Sequence, residues 1–147
     1  MKNEFVTVKQ AFNLKKIGFN EPCLLIAYKN EKIDYKELSW HTASNTKIDK
    51  TTKEINKDLD LGVDDEGKDV IMPEGAAVPL IRQAFRWFRD KHQLHSTITS
   101  ISQESWQWHI TKPGEELGKT YDEDFYTYEK TEQACLDKLI EIVKNKN

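Results

Sequence analysis

Residues 78–92, VPLIRQAFRWFRDKH, place the strongest constraint on how this 147-residue chain can fold. Apolar side chains recur there at three- and four-residue spacing, which lines them up along one side of a helix: Val78, Ile81, Ala84, Phe85 and Phe88. Pro79 fits the first helical turn, where a missing N–H costs nothing. A helix with so much apolar surface must bury it, so the segment predicts a helix packed on a partner.

Two further helices are predicted on either side of this one. Thr7 and Gln10 form a capping-box pattern at the start of an N-terminal helix, and Gly18 suits the left-handed residue that follows its end. The last helix is expected over residues 128–144, because Thr127 is a good N-cap and the apolar residues that follow repeat at helical spacing.

Strand-like segments lie between the helices. Alternating apolar residues and turn signals predict hairpins at residues 23–38 and 95–111, with a third short strand after Leu117. Asn30 and Glu31 are the expected turn of the first hairpin. We therefore predict a single α+β domain over residues 1–147. Its antiparallel sheet would contain four to five strands, packed with the three main helices.

The returning strand of the second hairpin has two different faces. Its apolar side chains share one of them: Trp106, Trp108 and Ile110. If that face packs under the helices, Gln107 and His109 point outward, where they could contact a partner.

Residues 41–73 differ from the rest of the chain. They are rich in Lys, Asp, Thr and Asn, and we interpret them as a polar, loop-rich insertion with one marginal helix near residues 49–60. The flanking regions are alike, since Gln10-Ala11-Phe12 and Gln83-Ala84-Phe85 align at a constant offset. This similarity indicates a repeated helix–strand–strand unit, although any two helix-plus-hairpin segments align at some offset.

Charge and composition argue against several classes of function. The chain carries 22 basic and 25 acidic side chains, so it lacks the basic excess of a typical nucleic-acid-binding protein. It has no apolar stretch of about 18 residues that could span a membrane, and its start does not look like a signal peptide. Cys23 and Cys135 show no paired spacing, which predicts reduced, buried thiols in a cytoplasmic protein.

Only one group of residues has the composition of a metal site. His92, His95 and His109 are near one another in the predicted fold, but zinc requires three or four converging ligands. His92 would end a helix and His95 begin a strand, so the simpler role for His92 is a partly charged imidazole at the negative end of the helix dipole. Phosphate-loop, nucleophile-elbow and paired-cysteine motifs are also missing. We expect no metal, no cofactor and no catalysis.

Three arginines form a basic stripe on the exposed face of the central helix: Arg82, Arg86 and Arg89. Such a stripe can bind phosphate or an acidic partner, and it is also what an ordinary solvated helix face looks like. Together with Gln107 and His109, these arginines are the candidate partner-binding residues, and the expected partner is a protein.

The order of helix, three strands and helix over residues 78–144 is similar to that of the double-stranded-RNA-binding domain. In that family the second helix starts with a lysine cluster that grips phosphates. The corresponding stretch here contains Glu129, Lys130 and Glu132 and is acidic on balance. The resemblance extends to the order of elements and implies nucleic-acid binding as an alternative function.

A closer resemblance covers three blocks of sequence: KQAFNLKKIGFNEPC at 9–23, QAFRWFRDKH at 83–92 and TYEKTEQACLDKLIEIVKN at 127–145. In combination they resemble a family of small proteins encoded by phages and prophage regions of Bacteroidetes-type bacteria. That family has no assigned activity, so the resemblance implies an origin and leaves the function to be inferred from the residues. The blocks leave out residues 41–73.

Overall fold

The computed structural model describes residues 4–23, 25–29, 41–42, 74–119 and 127–146. These residues form three helices and two three-stranded antiparallel sheets, which confirms the α+β class. The strands thus belong to two sheets of three, where the sequence predicted one sheet of four to five. The chain divides into two compact units: Phe5–Leu80, and Ile81–Asn147 together with Met1–Glu4. That residues 1–147 act as one domain stays a prediction.

In chain order the elements are α1 Val8–Lys16, β1 Leu25–Lys29, β2 His41–Thr42, β3 Glu74–Val78, α2 Ile81–His92, β4 His95–Ser102, β5 Ser105–Lys112, β6 Glu115–Lys119 and α3 Tyr128–Lys146. The sheet of the first unit has the order β2-β1-β3, and that of the second unit has the order β4-β5-β6. None of the described helices is both long enough and apolar enough to cross a membrane.

The predicted capping box holds the start of α1. The Gln10 backbone N–H donates to Thr7 Oγ1 at 3.1 Å, and the Thr7 N–H donates to Gln10 Oε1 at 2.9 Å. This reciprocal pair explains why the polar Gln10 side chain is buried. At the other end Gly18 has a φ of 97°, and the Phe19 N–H donates to the Leu14 carbonyl at 3.0 Å. The predicted left-handed helix end is confirmed.

Strand β3 was missed by the sequence analysis, which took its residues for a loop followed by the start of the central helix. It pairs with β1 along its whole length, from Val78 opposite Leu25 to Glu74 opposite Lys29. Its Gly-Ala-Ala segment lacks the β-branched and aromatic residues that usually mark strands. Prediction of a helix from Val78 was wrong, because Val78 belongs to β3 and α2 begins at Ile81.

One described partner of β1 lies beyond the predicted hairpin at residues 23–38. β2 pairs Thr42 with Leu25 and His41 with Ile26. The expected turn at Asn30 and Glu31, the second strand near residues 33–36 and the marginal helix at 49–60 lie outside the described residues. Of the 41–73 segment, the structure describes only the two residues of β2.

In the second unit α2 buries a different stripe from the one predicted. Ile81, Ala84 and Phe88 are buried as expected, but Phe85 is only half-buried. Trp87, which was not assigned to the apolar face, is 5% exposed. Both β4 and α3 pack against α2, so the helix is covered from two directions and its buried face is wider than one stripe.

The three strands of the second unit follow one another as a meander. A turn at Gln103 and Glu104 joins β4 to β5, and Pro113 and Gly114 form the turn to β6. The third strand starts at Glu115, slightly earlier than predicted, and residues 120–126 lie outside the described part.

The even-numbered residues of β5 face α3. Ile110 is fully buried, and the Trp106 ring packs edge-on against Tyr128 of α3. A Cβ atom at Gly118 would lie 3.0 Å from the Trp108 ring, closer than an ordinary contact, so a larger residue there would require the indole that lies across β6 to shift. The helices therefore cover the tryptophan face of the sheet.

A left-handed residue also terminates α2, but this residue is not glycine. Gln93 has a φ of 57°, its N–H donates to the Arg89 carbonyl, and the Leu94 N–H donates to the Phe88 carbonyl, both at 3.1 Å. Leu94 is then buried as the apolar contact of the motif. Gly18 and Phe19 hold the corresponding positions at the end of α1, where the two bonds span three and five residues instead of four and six.

Replacing Gln93 with Gly should stabilise the protein by about 0.5–1 kcal/mol, because glycine adopts positive φ without a Cβ penalty. The matched substitution Gly18→Ala should destabilise it by about 1 kcal/mol. Nothing lies within 4 Å of a Cβ at Gly18, so backbone strain alone would act there. Urea unfolding of both variants measures the two effects. Equal stability of Gln93→Gly and wild type would show that the cap carries no strain.

His92 plays a different part from the one predicted. Its ring lies 4.8 Å from the Trp87 ring and 6.0 Å from the Phe88 ring, both distances between ring centres. Burial, and secondly the positive charge of Lys146, lower the pKa of His92 below its ordinary value of 6.5. The prediction of a partly charged imidazole is therefore wrong. Burial favours the neutral, packed ring over an interaction with the helix dipole.

This pKa shift predicts a pH-dependent stability. Because the unfolded chain binds a proton at His92 more readily than the folded chain, the contribution is fully present above pH 6.5 and is lost as the pH falls through the lower folded pKa. His92→Phe keeps an aromatic ring beside Trp87 but removes the titration. Urea unfolding between about pH 7.5 and 5 should show a flatter pH dependence for this variant than for wild type. Parallel curves for the two proteins would contradict the prediction.

Candidate protein-binding surface

The start of α3 is fixed by the predicted N-cap. The Lys130 N–H donates to Thr127 Oγ1 at 3.2 Å, and the Thr131 hydroxyl donates to the Thr127 carbonyl at 2.8 Å. Thr131 is fully buried, and this bond satisfies its hydroxyl. The cap makes Tyr128 the first residue of the helix, ahead of the residues that α3 buries.

Helices α2 and α3 run side by side in the same direction. Arg82, in the first turn of α2, interacts electrostatically with Tyr128 and Glu132 in the first turns of α3. At the C-terminal ends of the two helices, His92 of α2 interacts electrostatically with Lys146 of α3. The two helix starts consequently form a common surface on the second unit.

An aromatic pair lies at this surface. The Tyr128 and Trp106 ring centres are 5.3 Å apart with their planes at 82°, an edge-to-face contact. Tyr128 is nevertheless 42% exposed, and in the described part of the chain only Ile101 is a more exposed large apolar side chain. We call Arg82, Trp106, Tyr128 and Glu132 the helix-start surface.

The polar groups of the helix-start surface constrain one another. Burial raises the pKa of Glu132 and the nearby charge of Glu129 raises it further, whereas Arg82 and a hydrogen bond with Tyr128 oppose the shift. The pKa of Tyr128 is also raised, first by burial and then by Glu132 and Glu129. Tyr128 is therefore a neutral phenol near pH 7 and donates to the Glu132 carboxylate.

The predicted arginine stripe is present and solvent-exposed along α2. Arg82 belongs to the helix-start surface, and Arg86 follows it one turn later on the same face. Arg89 Nε lies 3.5 Å from Asp90 Oδ1, with both side chains more than half exposed. Such an exposed pair contributes little to stability, so both groups are accessible to a partner.

Gln107 and His109 do not join the arginines. They lie on the opposite face of the sheet from the helices, because the even-numbered side chains of β5 face α3. There Gln107 lies opposite Thr99, and His109 lies between Thr97 and Lys119. The structure thus divides the five predicted site residues between two separate surfaces.

His109 has one close acidic neighbour. Its Nε2 atom is 3.4 Å from Glu116 Oε2, near enough for an ion pair when the imidazole is protonated. The same nitrogen is inaccessible to solvent and has no hydrogen-bond partner within the described part of the chain. The two atoms are close but not aligned for a hydrogen bond, so the contact between His109 and Glu116 is weak. The Glu116 side chain is about half exposed.

The three histidines considered as metal ligands do not converge. His92 packs on Trp87, while His109 lies on the outer face of the sheet. Residues 4–23, 25–29, 41–42, 74–119 and 127–146 contain no group of three or more His, Cys, Asp or Glu side chains that could hold a metal ion.

Both cysteines are buried, reduced thiols. Burial raises the pKa of Cys135 to about 12, and a hydrogen bond with Ser96 only partly offsets that effect. The thiol is thus protonated at physiological pH, which makes Cys135 a packing residue with little nucleophilic character.

Three residues of the helix-start surface were not predicted as site residues: Trp106, Tyr128 and Glu132. The tryptophan was assigned to the sheet core, and the other two were treated as part of a helix start. One signal was available, because Tyr128 lies in line with the buried stripe of its helix, seven residues before Cys135, but next to the Thr127 N-cap at the very start of the helix, where a side chain is less fully covered.

Comparison with known proteins identifies no relative. No protein-family model matches the chain, and neither a curated protein nor a solved structure matches it significantly.

Proposed function

We propose that this protein is an accessory protein of phage or prophage origin that acts by binding another protein, without catalysis. The observation that carries the proposal is the convergence of Arg82, Trp106 and Tyr128 on the helix-start surface. Arginine, tryptophan and tyrosine are the residue types that most often dominate the binding energy of protein interfaces.

The helix-start surface suits binding because its side chains are already positioned. Tyr128 is held by Trp106 and by the hydrogen bond to Glu132, and Glu132 is in turn close to Arg82. Side chains that are ordered before binding lose less conformational entropy on association. The exposed part of Tyr128 then provides an apolar anchor at low cost.

Arg86 and Arg89 extend the helix-start surface along α2 with positive charge. Guanidinium groups bind carboxylates in a bidentate manner, so the favoured partner presents an acidic region beside an apolar pocket for Tyr128. Such charges mainly raise the rate of association and the specificity. Gln107 and His109 would belong to a second contact on the other face of the sheet.

A cytoplasmic location and an internal duplication are two further proposals. A cytoplasmic location is consistent with two reduced, buried cysteines. Duplication would be limited to a helix and a hairpin, because the two sheets place their third strands differently. In the first unit the strand after the helix is central, whereas in the second unit the next strand is central.

Truncating the aromatic anchor is the most direct test. Tagged wild type and Tyr128→Ala would be used to purify partners from nuclease-treated, prophage-carrying cells, and the affinity for each recovered protein would then be measured. Loss of an interface anchor should weaken binding by about 30-fold, equivalent to about 2 kcal/mol. Ile101→Ala is the matched control, because it removes the other well-exposed apolar side chain.

Charge reversal tests the extension along α2. Arg86→Glu with Arg89→Glu should slow association, while Lys130→Glu with Lys144→Glu changes the charge equally at exposed positions of α3. Recovery of the same proteins by wild type and by both Tyr128→Ala and the arginine variant would show that the helix-start surface is not the binding site. Failure of wild type to recover any protein would defeat the proposed function.

Nucleic-acid binding is the second candidate, and it is favoured by one observation. Two parallel helices pack on one face of a three-stranded meander, an arrangement similar to that of the double-stranded-RNA-binding domain. Against it, Glu129 and Glu132 lie in the first turns of α3, where that family has phosphate-binding lysines. Two carboxylates at this place repel a phosphate backbone.

We expect no micromolar binding of duplex RNA at about 0.15 M salt. Real phosphate contacts release counterions, so binding would fall steeply between about 50 and 200 mM salt. Gel-shift or fluorescence-anisotropy titrations of wild type and the Arg86→Glu, Arg89→Glu variant provide the measurement. Tight, salt-dependent binding that the variant loses would establish the second candidate in place of the first.

A further inference from the structure

Strand β4 lies at the edge of its sheet. In the order β4-β5-β6, β5 pairs on both sides, and the only described strand that pairs with β4 is β5. Every side chain of β4 except Ser96 and Ile98 is well exposed. The outer backbone edge of an eight-residue strand is a template for pairing with another strand.

The two edges of this sheet are protected very differently. β6 is short, carries Glu115, Glu116 and Lys119, and has an irregular register with β5 near Ile110. Charged side chains and bulges are common means of preventing edge-to-edge association. β4, with the sequence HSTITSIS, contains no Asp, Glu, Lys, Arg or Pro. Its Thr and Ile residues favour extended pairing.

Only part of β4 is regular enough to accept a new strand. Its register with β5 shifts between Ser100 and Ser102, and the Ser100 hydroxyl donates to the Ser102 carbonyl at 2.9 Å. That bond occupies the backbone near the hairpin turn. The segment from His95 to Ser100 pairs continuously with β5 and leaves its other edge for a partner.

We propose that β4 pairs antiparallel with β4 of a second copy of this chain, joining two three-stranded sheets into one of six strands. This proposal concerns a different surface from the helix-start surface and does not rest on the proposed function. It assigns the edge one occupant, a second copy, on the grounds of symmetry and charge.

Symmetry restricts the register of such a pair. A two-fold axis that relates antiparallel edge strands must run perpendicular to the sheet, so both copies keep their helices on the same side. Residues opposite each other must then belong to the same face of the sheet. Placing Ile98 on the axis satisfies this condition and pairs Thr97 with the partner's Thr99. It pairs five residues of the regular segment, as many as a register with Thr97 on the axis, and it also brings the two Ile98 side chains together.

The lack of charge favours a second copy as occupant. In a symmetric antiparallel pair, a residue near the two-fold axis lies close to the same residue of the second copy. An ionised side chain at that position would therefore lie close to a like charge. β4 has none of these charges. Its Thr97 and Thr99 instead form β-branched cross-strand pairs on the outer face, and the two Ile98 side chains meet on the helix side.

Charge placed on the outer face of β4 tests the proposal. Wild type should dimerise in sedimentation-equilibrium runs at concentrations of about 10–500 μM, which correspond to weak but specific association. Thr97→Lys with Thr99→Lys should be monomeric, because each threonine pair becomes two like charges, and Thr97→Glu with Thr99→Glu should be monomeric for the same reason. An equimolar mixture of the two variants should form a heterodimer.

Two controls make the result specific. Gln107→Lys with Thr111→Lys adds the same charge to the same sheet face, but on the central strand β5, and should leave the dimer intact. Circular dichroism of each variant shows that its sheet is folded. A wild type that is monomeric throughout the range, a charged variant that dimerises like wild type, or a mixture that stays monomeric would each overturn the proposal. Extended peptides that bind monomeric wild type at this edge would replace the second copy as occupant.

Discussion

The second unit depends on the burial of one face of its sheet, with α3 packed on β5 and α2 packed on β4. Ile110 is completely buried there, Trp108 lies across Gly118, and α3 contributes a stripe that includes Cys135 and Leu139. Burial of apolar side chains is the largest favourable contribution to folding, and strand residues alternate between faces. Once the tryptophan face packs under the helices, Gln107 and His109 must lie on the opposite face.

The same packing creates the helix-start surface. α3 lies over β5 and beside α2, so its first residue reaches Trp106 on one side and Arg82 on the other. Tyr128 precedes the buried stripe and is therefore only partly covered. An exposed aromatic ring held in place by its neighbours differs from a scattered surface apolar residue, because its geometry is set before a partner arrives.

The helix-start surface and the edge of β4 both depend on which charged side chains are present and which are absent. Around Tyr128 the carboxylates of Glu129 and Glu132 outnumber the guanidinium of Arg82, and this balance disfavours contact with a phosphate backbone. Along β4 no Asp, Glu, Lys or Arg side chain opposes approach of an identical strand. The shorter edge strand β6 carries three charged residues and a bulge, which oppose such an approach. Of the two edge strands in the described sheet, β6 therefore carries features that oppose strand pairing and β4 does not.

Local sequence determined the elements whose signals act over a few residues. The Thr7 and Thr127 caps, the Gly18 helix end and the alternating faces of β5 depend on hydrogen bonds and periodicities within one turn or one strand. Tertiary structure decided the rest. The Gly-Ala-Ala strand exists because β1 supplies its hydrogen bonds, and Trp87 is buried because two elements cover α2. Likewise, the neighbours of Tyr128 come from β5 and α2, distant in sequence, and no local pattern encodes such long-range contacts.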